Sequence, residues 1–273
     1  MAFSINTNAG AMVALQNLNK TNFELSKTQN RINTGLKVSG AKDDASIFAI
    51  AQKMRGVIAA KNSVGQGLER AKSILDVSIA AAESISDTLV QMKELAVRAS
   101  EPGQDTATYN ALNADFFALR AQIDTIALNA EFNGKNLVIT GATDLDVTTD
   151  EDGNSFTVPK AEMQAITLQF GLPNIDLYND TNAGSTLTVI ENAIDTVNGH
   201  LSSMGSASKR VDLMITMNSK VKDAIEVGVG NLVDADMARE SADLQSLQVK
   251  QQLGIQALSI ANQAPNTVLG LFR

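Results

Sequence analysis

The stretch that decides the fold class is 68–99, LERAKSILDVSIAAAESISDTLVQMKELAVRA. Apolar or small side chains recur there at every third or fourth position, and charged side chains fall between them. This period is that of one face of an α-helix. The stripe consists of Leu68, Ala71, Leu75, Ser78, Ala82, Ile85, Leu89, Met92, Ala96 and Ala99. The stretch therefore predicts a helix of about nine turns with one buried face.

The same spacing extends outward from this stretch in both directions. After a stop at Glu101-Pro102-Gly103 it resumes at Tyr109, Leu112, Phe116, Leu119, Ile123 and Ile126, and ends near Asn133-Gly134. In the last third of the chain, a first stripe with this spacing consists of Leu187, Ile190, Ile194, Val197, Leu201, Met204, Ser208, Val211 and Ile215. A second stripe there consists of Leu244, Leu247, Gln251, Gly254, Leu258 and Ala261. Near the start of the chain, the same spacing links Leu15, Leu18, Asn22, Leu25, Gln29, Ile32 and Leu36. We therefore predict a mainly α fold with a long coiled-coil-like bundle formed by both chain ends, although a compact bundle of amphipathic helices fits the same stripes.

The middle of the chain, 135–185, follows a different pattern. The short β-prone runs 137–139, 156–158 and 166–170 are separated by Asp, Gly and Asn clusters such as Asp150-Glu151-Asp152-Gly153-Asn154. Such runs are typical of strands joined by turns. A small, exposed β-hairpin segment is therefore predicted in the middle.

The composition excludes several classes of function. The chain has 273 residues, 4% aromatic residues, no Cys, a single His and a net charge of -8. Without cysteine there is no disulfide, thiolate metal site or Cys nucleophile. The acidic balance disfavours nucleic acid as a partner, and the chain has no run of apolar residues long enough for membrane insertion. The N-terminus lacks the basic and apolar regions of a cleaved signal peptide, so we expect an intracellular protein or one exported by another route.

Three motifs that resemble chemical sites are better explained structurally. The segment 35–42 resembles a phosphate-binding loop, but Ala41 stands at the Lys position and a helical stripe precedes it. The acidic run from Thr148 has Pro159 where a calcium loop needs Glu. His200 has no second ligand or catalytic partner at a suitable spacing, so we predict no catalytic residue, metal site, cofactor or enzyme activity.

The two chain ends are unusual in their lack of charge. Residues 2–19 contain no charged side chain, and beyond Asp243 only Lys250 precedes the final Arg273. An amphipathic helix exposed to water normally carries a charged outer face. We therefore expect 1–40 and 235–273 to be disordered in the monomer and to form paired helices when neighbouring copies cover them, with polar stripe positions fixing the register.

Several motifs together resemble bacterial flagellins. Residues 31–45, RINTGLKVSGAKDDA, are similar to the N-terminal signature of that family, and 4–8, 92–97, 131–134 and the ending 261–273 agree with it in order. The resemblance covers roughly 1–137 and 186–273, and the middle is far shorter than in flagellins with large outer domains. It implies a structural subunit that polymerises into the flagellar filament for swimming motility.

The resemblance also implies the partners of the protein and its location. They are other flagellin copies, the flagellar type III export apparatus, an export chaperone, and junction and cap proteins, with secretion to the extracellular filament. A hook–filament junction protein of the same family and a cytoplasmic coiled-coil module are the alternatives.

Domains and site residues are predicted on this basis. A terminal filament-core domain comprises 1–40 and 235–273, and a second helical core domain comprises 41–234, including the hairpin segment. Filament-core packing is assigned to Leu15, Leu18, Asn22, Leu25, Gln29, Ile32, Leu244, Leu247, Gln251, Leu258 and Ala261. The core of the second domain is assigned to Leu75, Ile85, Leu89, Met92, Leu112, Phe116, Leu119, Ile194, Val197 and Leu201.

One surface is assigned from the resemblance alone. Many flagellins are bound by a Toll-like receptor through the first long core helix, which implies a receptor-type surface at Leu89, Gln91, Glu94 and Leu95. Gln91 stands where those flagellins have Arg. An amide offers fewer donors than a guanidinium and no charge, so weak receptor activation is expected.

Overall fold

The computed structural model describes residues 8–164, 177 and 180–270. Five helices lie within these residues: α1 (Ala9–Thr34), α2 (Ala45–Ala99), α3 (Thr106–Asn129), α4 (Asp180–Val233) and α5 (Met237–Gly270). One antiparallel hairpin joins β1 (Leu145–Thr148) to β2 (Ser155–Val158). The predicted mainly α fold with a small β-hairpin is confirmed.

The chain divides into two compact units. Unit 1 is Met1–Gly56 with Ala224–Arg273, and unit 2 is Val57–Asp223. Unit 1 contains α1, the start of α2, the end of α4 and α5, whereas unit 2 contains the remainder of α2 and α4 together with α3 and the hairpin.

Local signals set the helix ends in unit 1. The Asn8 side chain accepts a hydrogen bond from Ala11 N at 3.1 Å and so begins α1. Gly35 ends it in the left-handed conformation, with φ 71°, which glycine adopts without strain. The Gly35 carbonyl accepts from Ala235 N at 2.9 Å, and Lys37 N donates to Val233 O at 2.7 Å. The segment that resembles a phosphate loop therefore ends a helix and ties it to the α4–α5 connection.

Unit 2 has one continuous hydrophobic core. Its largest fully buried side chains lie on α2, α3, α4 and the segment after α3, and include Phe116, Leu75, Met92 and Ile190. Lys72 pairs with Asp212 at 2.5 Å and Lys93 with Glu191 at 2.9 Å, so α2 and α4 run antiparallel. The small number of aromatic side chains is compensated by many Leu, Ile, Val, Met and Ala side chains at helical spacing.

The hairpin packs one of its faces into this core. Leu145, Val147, Phe156 and Val158 are buried, and the residues between them are exposed. The predicted strand at 156–158 is confirmed, but its partner at 145–148 carries Asp and Thr on the exposed face and was not predicted. The hairpin is thus exposed on one side only.

The predicted strand at Leu137–Ile139 is wrong. These residues form bends, and Leu137 and Val138 are buried. The Asn136 side chain accepts from Val138 N at 2.8 Å and Ile139 N at 3.0 Å, so the amides that a strand would use are already engaged. The predicted run at 166–170 lies outside the described residues.

Candidate functional site

Helices α1 and α5 form an antiparallel pair within unit 1, which we call the terminal pair. Contacts link the start of α1 to the end of α5 and the end of α1 to the start of α5. Asn8 Nδ2 donates to Ala261 O at 2.7 Å, and Arg31 Nη1 donates to Glu240 Oε1 at 2.9 Å. The helices approach closely near Gly254, where an added Cβ would lie 3.2 Å from Leu18 Cδ1.

Polar side chains hold the register of the terminal pair. Gln251 Nε2 donates to Asn22 Oδ1 at 2.7 Å, between the Asn8 and Arg31 contacts. Both residues are among the three polar positions of the predicted stripes at the two chain ends, the third being Gln29. If one helix shifted along the other, the side-chain amides of Asn22 and Gln251 would lose their hydrogen bond and would lie against apolar side chains. The contact therefore favours a single register.

The terminal pair buries little of its own apolar surface. Thr28 is the buried residue of α1, and Glu240 and Leu247 are the buried residues of α5 up to 263. Large apolar side chains remain exposed on both helices: Met12, Val13, Leu15 and Phe23 on α1, and Met237, Val249, Leu253, Ile255 and Ile260 on α5. Such a surface is typical of an interaction site rather than of a solvated helix face.

The predicted filament-core residues lie in three environments on this pair. Leu247 is buried between the helices of the chain itself. Leu18, Leu25, Ile32, Leu244, Gln251, Leu258 and Ala261 are half-buried, and Leu15, Asn22 and Gln29 are exposed. Their packing against other copies stays a prediction. Leu247 is only 7% exposed in the folded chain, so its burial needs no second copy once the terminal pair has formed.

The predicted second-domain core lies in the core of unit 2. Leu75, Ile85, Leu89, Met92, Phe116 and Val197 are buried, and Leu112, Leu119, Ile194 and Leu201 pack against them from partly buried positions.

The receptor-type surface needs one correction. Leu89 is 1% exposed and belongs to the unit 2 core, so it is not part of an accessible surface. Gln91 and Glu94 are exposed and Leu95 is half-buried. Glu94 accepts from Arg98 Nη2 at 2.5 Å one turn later along α2. Gln91, Glu94 and Leu95 stay a predicted surface.

Hydrogen bonds explain the acidic turn of the hairpin. The Asp150 carboxylate accepts from Asn154 Nδ2 at 2.5 Å and from the backbone N–H groups of Asp152 and Asn154. The Asn154 side chain, followed by these backbone donors, holds the pKa of Asp150 below its usual value. Glu151 pairs with Lys61, which lowers the pKa of Glu151 and fixes the turn against α2. These contacts are those of a structural turn.

The remaining candidates for chemistry have structural environments. Partial burial lowers the pKa of the single His200, on α4. Within the described parts of the chain, no group of three or more His, Cys, Asp or Glu side chains is placed to hold a metal ion. Among the described helices, none combines the length and the hydropathy needed to cross a bilayer.

Sequence reasoning missed most of the exposed apolar residues of the terminal pair. Met12, Val13, Phe23, Leu253 and Ile260 lie off the three-four stripe, so the periodicity did not select them. The signal that points to Met12, Val13, Leu253 and Ile260 is the lack of charge in both segments, whereas Phe23 lies among charged residues of α1. A helix with apolar side chains on several faces and almost no charge needs covering on several sides.

Comparisons with known proteins identify relatives across the chain. The family model for the bacterial flagellin N-terminal helical region matches residues 5–141, and that for the bacterial flagellin C-terminal helical region matches 187–272. The chain is 47% identical to Flagellin FljK of Caulobacter vibrioides, over 99% of this chain and 98% of the relative. It is 36% identical to a flagellin of Brucella melitensis, over 99% of each. The crystal structure of Bacillus cereus flagellin matches 56% of this chain and 88% of its own, with a TM-score of 0.52 and 24% identity, and supports the fold.

Proposed function

The chain belongs to the bacterial flagellin family, and on that basis we propose that the terminal pair is the surface through which its copies pack into the flagellar filament. The chain is a structural subunit of this filament. Flagellins are structural proteins, and no catalytic role is proposed.

The observation that carries the proposal is the uncovered apolar surface of α1 and α5. Exposed Leu, Ile, Val, Met and Phe side chains lie on both helices, and few charged side chains accompany them. Water solvates such a surface poorly, and burial against other copies recovers roughly 25 cal/mol for each Å² of apolar area. Packing between copies is therefore the use that fits it best.

The predicted domain division is retained as part of this proposal. We assign 1–40 and 235–273 to the filament core and 41–234 to a second domain that carries the hairpin. The compact units have their boundaries at 56/57 and 223/224, so unit 1 contains the start of α2 and the end of α4 as well as the terminal pair. The acidic hairpin segment is assigned to the outer surface, where its charges stay solvated.

The proposed partners beyond other copies are the flagellar type III export apparatus, an export chaperone, and junction and cap proteins. The proposed location is the extracellular filament. A chain without cysteine can be passed unfolded through a channel with no disulfide to reduce. The uncharged ends would need protection before export, which is the role given to the chaperone.

Polymerisation of the purified protein tests the proposal. Negative-stain imaging should show filaments of the wild-type chain under polymerising conditions. A variant that ends at residue 234 lacks α5 and should form none. A matched variant with Gly-Ser-Gly in place of Asp150–Asp152 should still polymerise, because the turn lies on the outer surface. Filaments of the variant without α5 would contradict the role given to the terminal pair.

A further inference from the structure

Helix α4 presents two large apolar side chains to solvent within unit 2. Leu213 is 71% exposed and Met217 is 67% exposed. They are one helical turn apart, so they lie on the same face. Lys209 comes one turn before Leu213 and Lys220 one turn after Met217, and both are exposed on that face. We call these four residues the α4 ridge.

A shallow groove of about 520 Å³ lies between α2 and α3 in the same unit. Its apolar part is formed by Val77, Ala81 and Ile126, and small side chains such as Ala80 and Ser84 border it. Small residues leave space between two helices into which larger side chains of a third helix can pack. We call this the α2–α3 groove. Its size and lining suit branched or unbranched apolar side chains such as those of the ridge.

Exposed carboxylates follow one edge of the groove along α2. They are Asp76, Glu83 and Asp87. Asp76 and Asp87 are separated by three helical turns, about 16 Å along the axis, and therefore lie on the same face. Lys209 and Lys220 of the ridge are separated by the same distance along α4. The ridge and the groove edge thus match in spacing and are opposite in charge.

We propose that the α4 ridge of one copy docks into the α2–α3 groove of a second copy of this chain. The proposal rests on the proposed function, because it describes one contact of the polymer. Leu213 and Met217 fill the groove, and the lysines face the carboxylates. The two surfaces are different parts of unit 2, so the contact does not close on itself and can repeat from copy to copy, as a helical filament requires.

The direction of the helices sets the pairing. Copies in one helical polymer point the same way along its axis, and α2 and α4 run antiparallel within unit 2. The α4 of one copy therefore runs antiparallel to the α2 of the next. This arrangement sets Lys209 against Asp87 and Lys220 against Asp76.

Charge reversal with rescue tests the contact. The Lys209→Glu/Lys220→Glu variant should keep the helical content of the monomer and raise the critical concentration for polymerisation at least about tenfold, because two attractions become repulsions. Adding Asp76→Lys and Asp87→Lys to the same chain should restore polymerisation. Lys135→Glu/Lys160→Glu makes the same change in net charge at two residues that belong to neither surface, and it should have little effect on the critical concentration. For the register, Lys209→Glu should be rescued by Asp87→Lys and not by Asp76→Lys.

The outcomes separate this contact from the function on which it rests. A wild-type chain that never polymerises would overturn the proposed function and the contact with it. A wild-type chain that polymerises beside a ridge variant with an unchanged critical concentration would overturn the contact alone. Loss of polymerisation in the ridge variant without recovery in the fourfold variant would also overturn the contact.

Discussion

Shortening Leu253 and Ile260 of α5 to alanine measures how much of the terminal pair is buried between copies. These side chains are 57% and 69% exposed in the single chain. Alanine keeps the helix, because its helix propensity is the highest of all residues. The monomer should therefore keep its helical content, whereas the filament should lose the free energy of burying each side chain.

The size of the effect follows from the exposed fraction. Full burial of a Leu or Ile side chain contributes about 1.5–3 kcal/mol, so burial of the part still exposed contributes about 1–2 kcal/mol for each side chain. That free energy corresponds to a rise in critical concentration of roughly 5- to 30-fold for each substitution. We expect the two effects to be roughly additive, since the positions are two turns apart.

Sedimentation of polymer from monomer over a range of protein concentrations gives the critical concentration directly. Gln252→Ala is the matched control, because Gln252 is exposed on the same helix but offers little apolar area. Its critical concentration should stay close to that of the wild-type chain. If Leu253→Ala and Ile260→Ala behave like this control, these side chains face solvent in the filament and the role given to α5 is refuted.

Three further predictions concern the turn, the receptor-type surface and the chain ends. The hydrogen bonds that lower the folded-state pKa of Asp150 stabilise the hairpin at pH values above the pKa of this group in the unfolded chain, and the stabilisation is lost as the pH falls through the folded-state pKa. Amide exchange of the turn, measured as a function of pH, should show this loss in the wild-type chain and a weaker pH dependence in Asp150→Asn. Wild-type monomer should activate Toll-like receptor reporter cells weakly and Gln91→Arg more strongly, and potent signalling by the wild-type monomer would contradict the prediction. Limited proteolysis should trim 1–40 and 235–273 in the monomer and spare them in the filament, whereas equal protection in both would show that the terminal pair is ordered alone.

The helices were predictable because their period is long and regular. From Leu68 to Ala99 an apolar or small side chain recurs at every turn of the predicted helix, and these side chains face the core in the folded chain. Asn22 and Gln251 were predicted to fix the register of the helices, but the hydrogen bond between them was not predicted, because they are 229 residues apart in the chain.

Other features depended on contacts that no local pattern encodes. A β-prone run at Leu137–Ile139 became a bend because the neighbouring Asn136 side chain engages its amides. Leu89 was assigned both to the core and to a surface, and only the packing around α2 decides between them. The exposed positions of α5 escaped detection since a helix with apolar residues on several faces has no single stripe to follow.

The pairing of α1 with α5 also governs when this part of the molecule can form. Asn8 and Ala261 are 253 residues apart in the chain, and Asn22 and Gln251 are 229 apart. The entropy of closing so long a loop must be overcome before these contacts return any free energy. Under the proposed export through a channel, the pair cannot form until both of its helices have left the channel. Unit 2 holds all of its core between Val57 and Asp223 and can fold earlier. The order of the elements along the chain therefore makes the terminal pair, with its exposed apolar surface, the last part of the molecule to form.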